Sequence, residues 1–140
     1  KRGWIFWDKK ITNANNTNTT FFKISFGSYG DSAYVIVTDD INKAYSFIYN
    51  NSDSTIDIKD LQSSSGVTVA NGYGLPTIWL RDTSFTAESI GVINHEIFHL
   101  TYYIMHRVGI PLSDDTDEAY AYELDYISSQ IYKHLIYDIK

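Results

Sequence analysis

The apolar positions of this chain follow two different periods. Up to about residue 82 they come in short runs broken by turn formers, and beyond it they recur at helical spacing. Phe21-Phe22-Lys23-Ile24-Ser25-Phe26 predicts a strand, residues 27–31 a turn, and residues 33–38, rich in β-branched and aromatic side chains, a second strand. Asp39 or Asp40 is placed to cap a short helix over 42–49, which 50–54 closes. Residues 61–74 are rich in Ser and Gly and predict a loop with at most one short strand. Residues 76–81 predict a further strand whose opening proline suits a sheet edge or a strand beginning. A long helix is expected over 86–108, with Thr86 as N-cap and Phe85 and Ile90 at the spacing of a hydrophobic staple. Glu88 sits in its first turn, Gly109 just past its end, and Pro111 prevents continuation. A second helix begins within 113–116 and runs to about 137. Strands followed by helices make the class α+β: a twisted, mostly antiparallel sheet with one short helix (1–82), then two long helices (83–140), as one domain over 1–140.

Composition supports this and removes alternatives. The 140 residues are 44% hydrophobic, enough for one core. No apolar run is long enough for a membrane helix, and Lys1-Arg2-Gly3-Trp4-Ile5-Phe6-Trp7-Asp8 lacks the apolar stretch of a signal peptide. Residues 12–20, all Thr, Asn and Ala, read as a polar loop. Without cysteine there is no disulfide and no thiolate ligand. The net charge of −6, with Lys and Arg scattered, argues against nucleic acid as a partner, and no membrane partner is expected.

One segment carries chemistry: His95-Glu96-Ile97-Phe98-His99. On a helix, residues i and i+4 share a face, so two imidazoles can bind one Zn²⁺, and the intervening Glu can take a proton from the activated water. With four His in the chain, a chance match is expected at roughly 0.3%. A core histidine would lie in the apolar stripe; His95 and His99 fall outside the stripe of Ile90, Ile93, Ile97, Leu100 and Ile104. A third ligand is required. His106 lies seven residues past His99, roughly 10 Å along the axis, too far to share one ion. Glu118, after 18 intervening residues at the start of the second helix, is the better choice. On that helix Tyr122, Asp125 and Ser129 share its polar face. Glu123 lies off that face, as an ordinary exposed charge. Asp114, Asp115 and Asp117 are read as cap and dipole residues. Asp125 could accept the spare N–H of a ligand histidine, and His106 suits a supporting or substrate-facing position. Tyr102, Tyr103, Tyr120, Tyr122 and Tyr126 could each donate to an oxyanion.

His95-Glu96-x-x-His99 followed by Glu118 resembles the gluzincin pattern of zinc metallopeptidases. Glu118-Ala119-Tyr120-Ala121-Tyr122 resembles the second ligand helix of compact minigluzincin and ImmA/IrrE-like proteins. The run Gly109-Ile110-Pro111-Leu112, then Asp117 to Tyr122, is similar to short HExxH proteins of tailed phages; this likeness covers roughly the last 65 residues. The resemblance implies a small zincin-like domain with one Zn²⁺ per chain, held by His95, His99 and Glu118, and Glu96 as general base. It also implies a strand along the substrate cleft, matched to Thr77, Ile78, Trp79 and Leu80, with whose free edge a peptide pairs. The function implied is hydrolysis of a peptide bond in a peptide or protein substrate. By likeness to ImmA/IrrE alone, that protein could be a regulator. The alternative is a phage virion or accessory protein that keeps the fold as a structural or binding module, its metal site vestigial or structural. The expected location is the host cytoplasm or the virion.

Overall fold

The computed structural model describes residues 19–70 and 74–137. Along the chain come β1 (Thr20–Ser25), a 3₁₀ turn (Gly27–Tyr29), β2 (Ser32–Val37), α1 (Ile41–Asn51) and α2 (Ile58–Gln62). β3 (Gly66–Val69), β4 (Thr77–Leu80), α3 (Ala87–Arg107) and α4 (Asp117–Tyr137) follow. The α+β class and the two long C-terminal helices agree with the sequence pattern. The reading of residues 1–8 and most of the polar loop over 12–20 lie outside the described residues; Thr20 already opens β1. The sheet-rich part holds two short helices rather than one. Asp57 caps α2 by accepting from Lys59 N at 3.0 Å, a local signal that the Ser/Gly-rich run after it obscured.

The sheet order is β1-β2-β4-β3. β1 and β2 pair antiparallel, β2 and β4 parallel, β4 and β3 antiparallel. This corrects the expectation for Thr77, Ile78, Trp79 and Leu80. They are an internal strand, buried at every position and paired on both sides. Pro76 is the misleading signal. It precedes the first paired residue and offers its carbonyl to Tyr34 N at 2.9 Å, so its missing N–H costs nothing there. The uninterrupted Ile-Trp-Leu run marks a strand covered on both faces. Among the described residues the free edge on this side is β3.

Both faces of the sheet are covered. Ile24, Val35, Val37, Ile78 and Leu80 point to one side and meet Ile93, Ile97, Leu100 and Ile104 of α3 with Ile127, Ile131 and Leu135 of α4. Phe21, Tyr34, Ile36 and Trp79 point to the other and meet Ala44, Phe47 and Ile48 of α1 and Leu61 of α2. Trp79 is fully buried, and its indole N–H donates to Thr38 O at 2.9 Å. The Arg81 guanidinium lies 5.1 Å from its ring and binds the carbonyls of Leu61 and Ser64, which fastens the approach to β3.

The termini of α3 follow the sequence signals. Thr86 Oγ1 accepts from Ser89 N at 3.1 Å, and Gly109 takes φ +85° beyond the last turn. Phe85 rests against Tyr132 of α4, with ring centres 6.3 Å apart. The β1–β2 turn needs glycine at position 27, where φ is +66° and a Cβ would come within 2.9 Å of the Tyr126 ring.

Candidate functional site

The site forms where α3 crosses the edge of the sheet. His95 and His99 lie on the exposed side of α3, one turn apart, with their Nε2 atoms 3.1 Å apart. Two nitrogens of a tetrahedral zinc site, each roughly 2.0–2.1 Å from the ion, stand about 3.3 Å apart. This pair therefore fits two positions of such an ion with little movement.

Glu96, between them in sequence, turns toward the sheet and is 5% exposed. Thr68 of β3 reaches across: its Oγ1 donates to Glu96 Oε1 at 2.6 Å and lies 3.1 Å from the Glu96 carbonyl oxygen. The strand can come this close because Gly66 has no side chain. A Cβ there would stand 2.9 Å from Val92 Cγ1 and 3.2 Å from Glu96 Cγ. Edge strand and helix thus position one carboxylate between them.

The ladder register determines what β3 offers outward. Arg81 N donates to Ser65 O at 3.0 Å, so the pairs Val67–Trp79 and Val69–Thr77 exchange hydrogen bonds and the pairs Gly66–Leu80 and Thr68–Ile78 do not. The N–H and C=O groups of Gly66 and Thr68 therefore face away from β4, at the open edge. The role expected of the strand 76–81 is one that β3 has the geometry for.

Beside His99 opens a cavity of about 410 Å³ lined by Thr68, Ala70, His99, Tyr102, Tyr103 and His106. The Tyr102 and His106 rings lie 4.2 Å apart, centre to centre. His106, two turns past His99, thus lines the same cavity as His99. Of the five tyrosines considered as donors, Tyr102 and Tyr103 line this space. Tyr120 donates its hydroxyl to Ile110 O at 2.7 Å, Tyr126 packs at Gly27, and Tyr122 is 68% exposed. Asp125 is exposed and accepts from Ser129 Oγ on its own helix at 3.5 Å.

Glu118 is exposed on the first turn of α4. Among the described residues no three His, Cys, Asp or Glu side chains form a group able to hold a metal ion, so Glu118 does not join the histidine pair. The helix register is the physical reason. Tyr132 Oη donates to Asn94 Oδ1 at 2.7 Å, and the Tyr120 ring lies 6.4 Å from that of Tyr102. α3 continues two turns past His99, so the beginning of α4 lies level with those later turns. The donor set fits a metal at two positions, and Glu118 as placed does not supply the third.

Glu123 differs from its expected exposed position. It is 5% exposed, within the inward stripe of Tyr120, Ile127, Ile131 and Leu135, and its Oε2 has no hydrogen-bond partner among the described residues. Burial pushes its carboxyl up from 4.5 to about 7. Between these values the fold holds a proton that the unfolded chain has released, so stability falls as pH rises from 4.5 to 7 and Glu123 adds no further slope above that. Glu123→Gln removes this loss. Melting curves should show the variant gaining on wild type across that window, with a constant gain above it. A difference independent of pH would contradict the assignment.

The sequence reading missed Thr68, Ala70 and the role of β3. The available signal was Val67-Thr68-Val69-Ala70, an alternation with a polar residue on one face. Comparison with protein-family models, with curated proteins and with solved structures finds no match to this chain.

Proposed function

We propose that this protein is a zinc-dependent hydrolase of the metallopeptidase type, acting on a peptide bond in a peptide or protein substrate. One observation carries the reading: His95 and His99 bring two imidazole nitrogens within 3.1 Å beside a glutamate that an edge strand holds in place. Bound there, zinc would supply Lewis acidity to the substrate carbonyl. The chain's own residues do the rest. Glu96 accepts the proton of the attacking water as the bond from water oxygen to carbonyl carbon forms, and then returns it to the leaving amine as the bond from that carbon to nitrogen breaks. Thr68 orients that carboxylate through Oε1. The Gly66 and Thr68 backbone groups align an extended substrate by strand pairing.

Glu118 is the third donor implied by the gluzincin resemblance, and no hydrogen bond or ion pair engages it among the described residues. Elemental mass spectrometry of purified protein tests the set, with wild type beside His95→Ala, His99→Ala and Glu118→Ala. About one zinc per chain is expected, lost in both histidine variants. Loss in Glu118→Ala assigns it the third position; retention leaves that position to another group. A wild-type chain without metal under zinc-replete conditions would overturn the reading.

A histidine pair without a third donor among the described residues also supports a second reading, in which this fold is a structural or binding module; its placement as a phage virion or accessory protein comes from the resemblance of the C-terminal part alone. It predicts stoichiometric presence in purified particles and no functional loss in Glu96→Gln. Absence from particles would remove the virion form of that reading. No described helix is long and apolar enough to cross a membrane.

A further inference from the structure

We infer that the cavity beside His99 and the open edge of β3 form one peptide-binding site, selective for an uncharged aromatic side chain within an extended segment. The inference holds for a hydrolase and for a binding module alike.

Thr68 joins the two parts. Its backbone N–H and C=O face the edge left open among the described residues, its side chain points to α3 and Glu96, and the residue lines the cavity. Successive side chains of a strand alternate between faces. A peptide paired with β3 therefore sends every second side chain to the face that Thr68 and Ala70 share, which is the α3 side where the cavity lies. The ladder recognises main chain, and the cavity reads one side chain in two.

The walls determine which side chain. Tyr102, Tyr103 and His106 line it; the Tyr102 and His106 rings lie 4.2 Å apart, and Tyr103 packs against the core. Among the described residues no Asp, Glu, Lys or Arg lines the space, so a charged side chain would find no counter-charge there. At about 410 Å³ and open to solvent, the cavity exceeds what a small aliphatic group fills. A ring gains offset or edge contacts with the Tyr102 and His106 ring pair, and a polar tip such as a phenol or indole N–H can meet the imidazoles. A sugar would also stack on these rings but has no alternating N–H and C=O groups for the edge.

The test uses full-length protein carrying Glu96→Gln, so that no peptide is cleaved, with and without added zinc. Its probes are fluorescein-labelled heptapeptides of alternating Thr and Val with a central Tyr, Trp, Ala or Lys. By fluorescence anisotropy, the Tyr and Trp peptides should bind about ten-fold more tightly than the Ala peptide. Adding Tyr102→Ala should erase that preference while circular dichroism remains native. Methylating the peptide nitrogens of one alternate set should weaken binding, and methylating the other set should not. Equal binding of all four peptides, a preference that survives Tyr102→Ala, or insensitivity to both methylation sets would each overturn the inference. The zinc arm separates this result from the hydrolase reading: aromatic preference without zinc supports the site whatever the metal content proves to be.

Discussion

Glu96→Gln is expected to lower kcat/KM on any confirmed peptide substrate by about 10²–10⁴-fold while zinc content stays at the wild-type level. The substitution is conservative in structure. The amide oxygen can still accept from Thr68 Oγ1, and a neutral group at a position only 5% exposed is easier to bury than a carboxylate. What disappears is the basic oxygen. Thr68→Val is the companion variant. It removes the hydroxyl that orients the carboxylate but keeps the base, so its loss should be smaller, about ten-fold. Turnover of a peptide library read by mass spectrometry, beside elemental analysis of each variant, measures both. A metal-loaded Glu96→Gln protein with wild-type turnover would end the general-base assignment.

The largest effect on stability is expected at Trp79. Its side chain is fully buried in the layer under α1 and α2, its N–H satisfies the Thr38 carbonyl, and Arg81 lies against its ring. Trp79→Ala should cost about 3–5 kcal/mol from lost burial and the cavity left behind. Against a typical total of about 5–15 kcal/mol, that makes the variant marginal or unfolded. Trp79→Phe keeps most of the ring but strands the Thr38 carbonyl, at about 1–3 kcal/mol. Urea denaturation followed by circular dichroism separates the two. A Trp79→Ala loss below about 1 kcal/mol would mean that this layer does not hold the sheet.

The helical half of the chain was legible because its signals are local. Thr86, Gly109 and Pro111 mark the ends of α3, and the i,i+4 spacing of His95 and His99 dictates their shared face. The sheet was legible as strands but not as an order of strands. Alternation shows which residues share a face, yet whether β3 or β4 lies outermost depends on pairing between residues far apart in sequence. Pro76 therefore misled. The same limit applies to α4. A wheel drawn on one helix places Glu118 on a polar face, but the level at which α4 meets α3 depends on where α3 ends and how the chain returns. Glu123 went unrecognised because a glutamate beside an apolar stripe has the same pattern whether the neighbouring layer covers it or not.

The parallel pairing of β2 with β4 also has a consequence for how the molecule assembles. Between Val37 and Thr77 lie 39 residues, including α1, α2 and β3. β4 must reach β2 across that whole excursion, and β3 acquires its register only once β4 is in place. Contacts of such sequence separation slow folding, whereas the short return from α3 to α4 can form early. The Thr68–Glu96 contact joins the late part to the early part. Native-state hydrogen exchange should therefore find α3 and α4 able to persist while β3 opens. The histidine pair would then survive on its helix in a partly opened molecule, with Glu96 released from its strand. Chemical competence would belong to the last state formed.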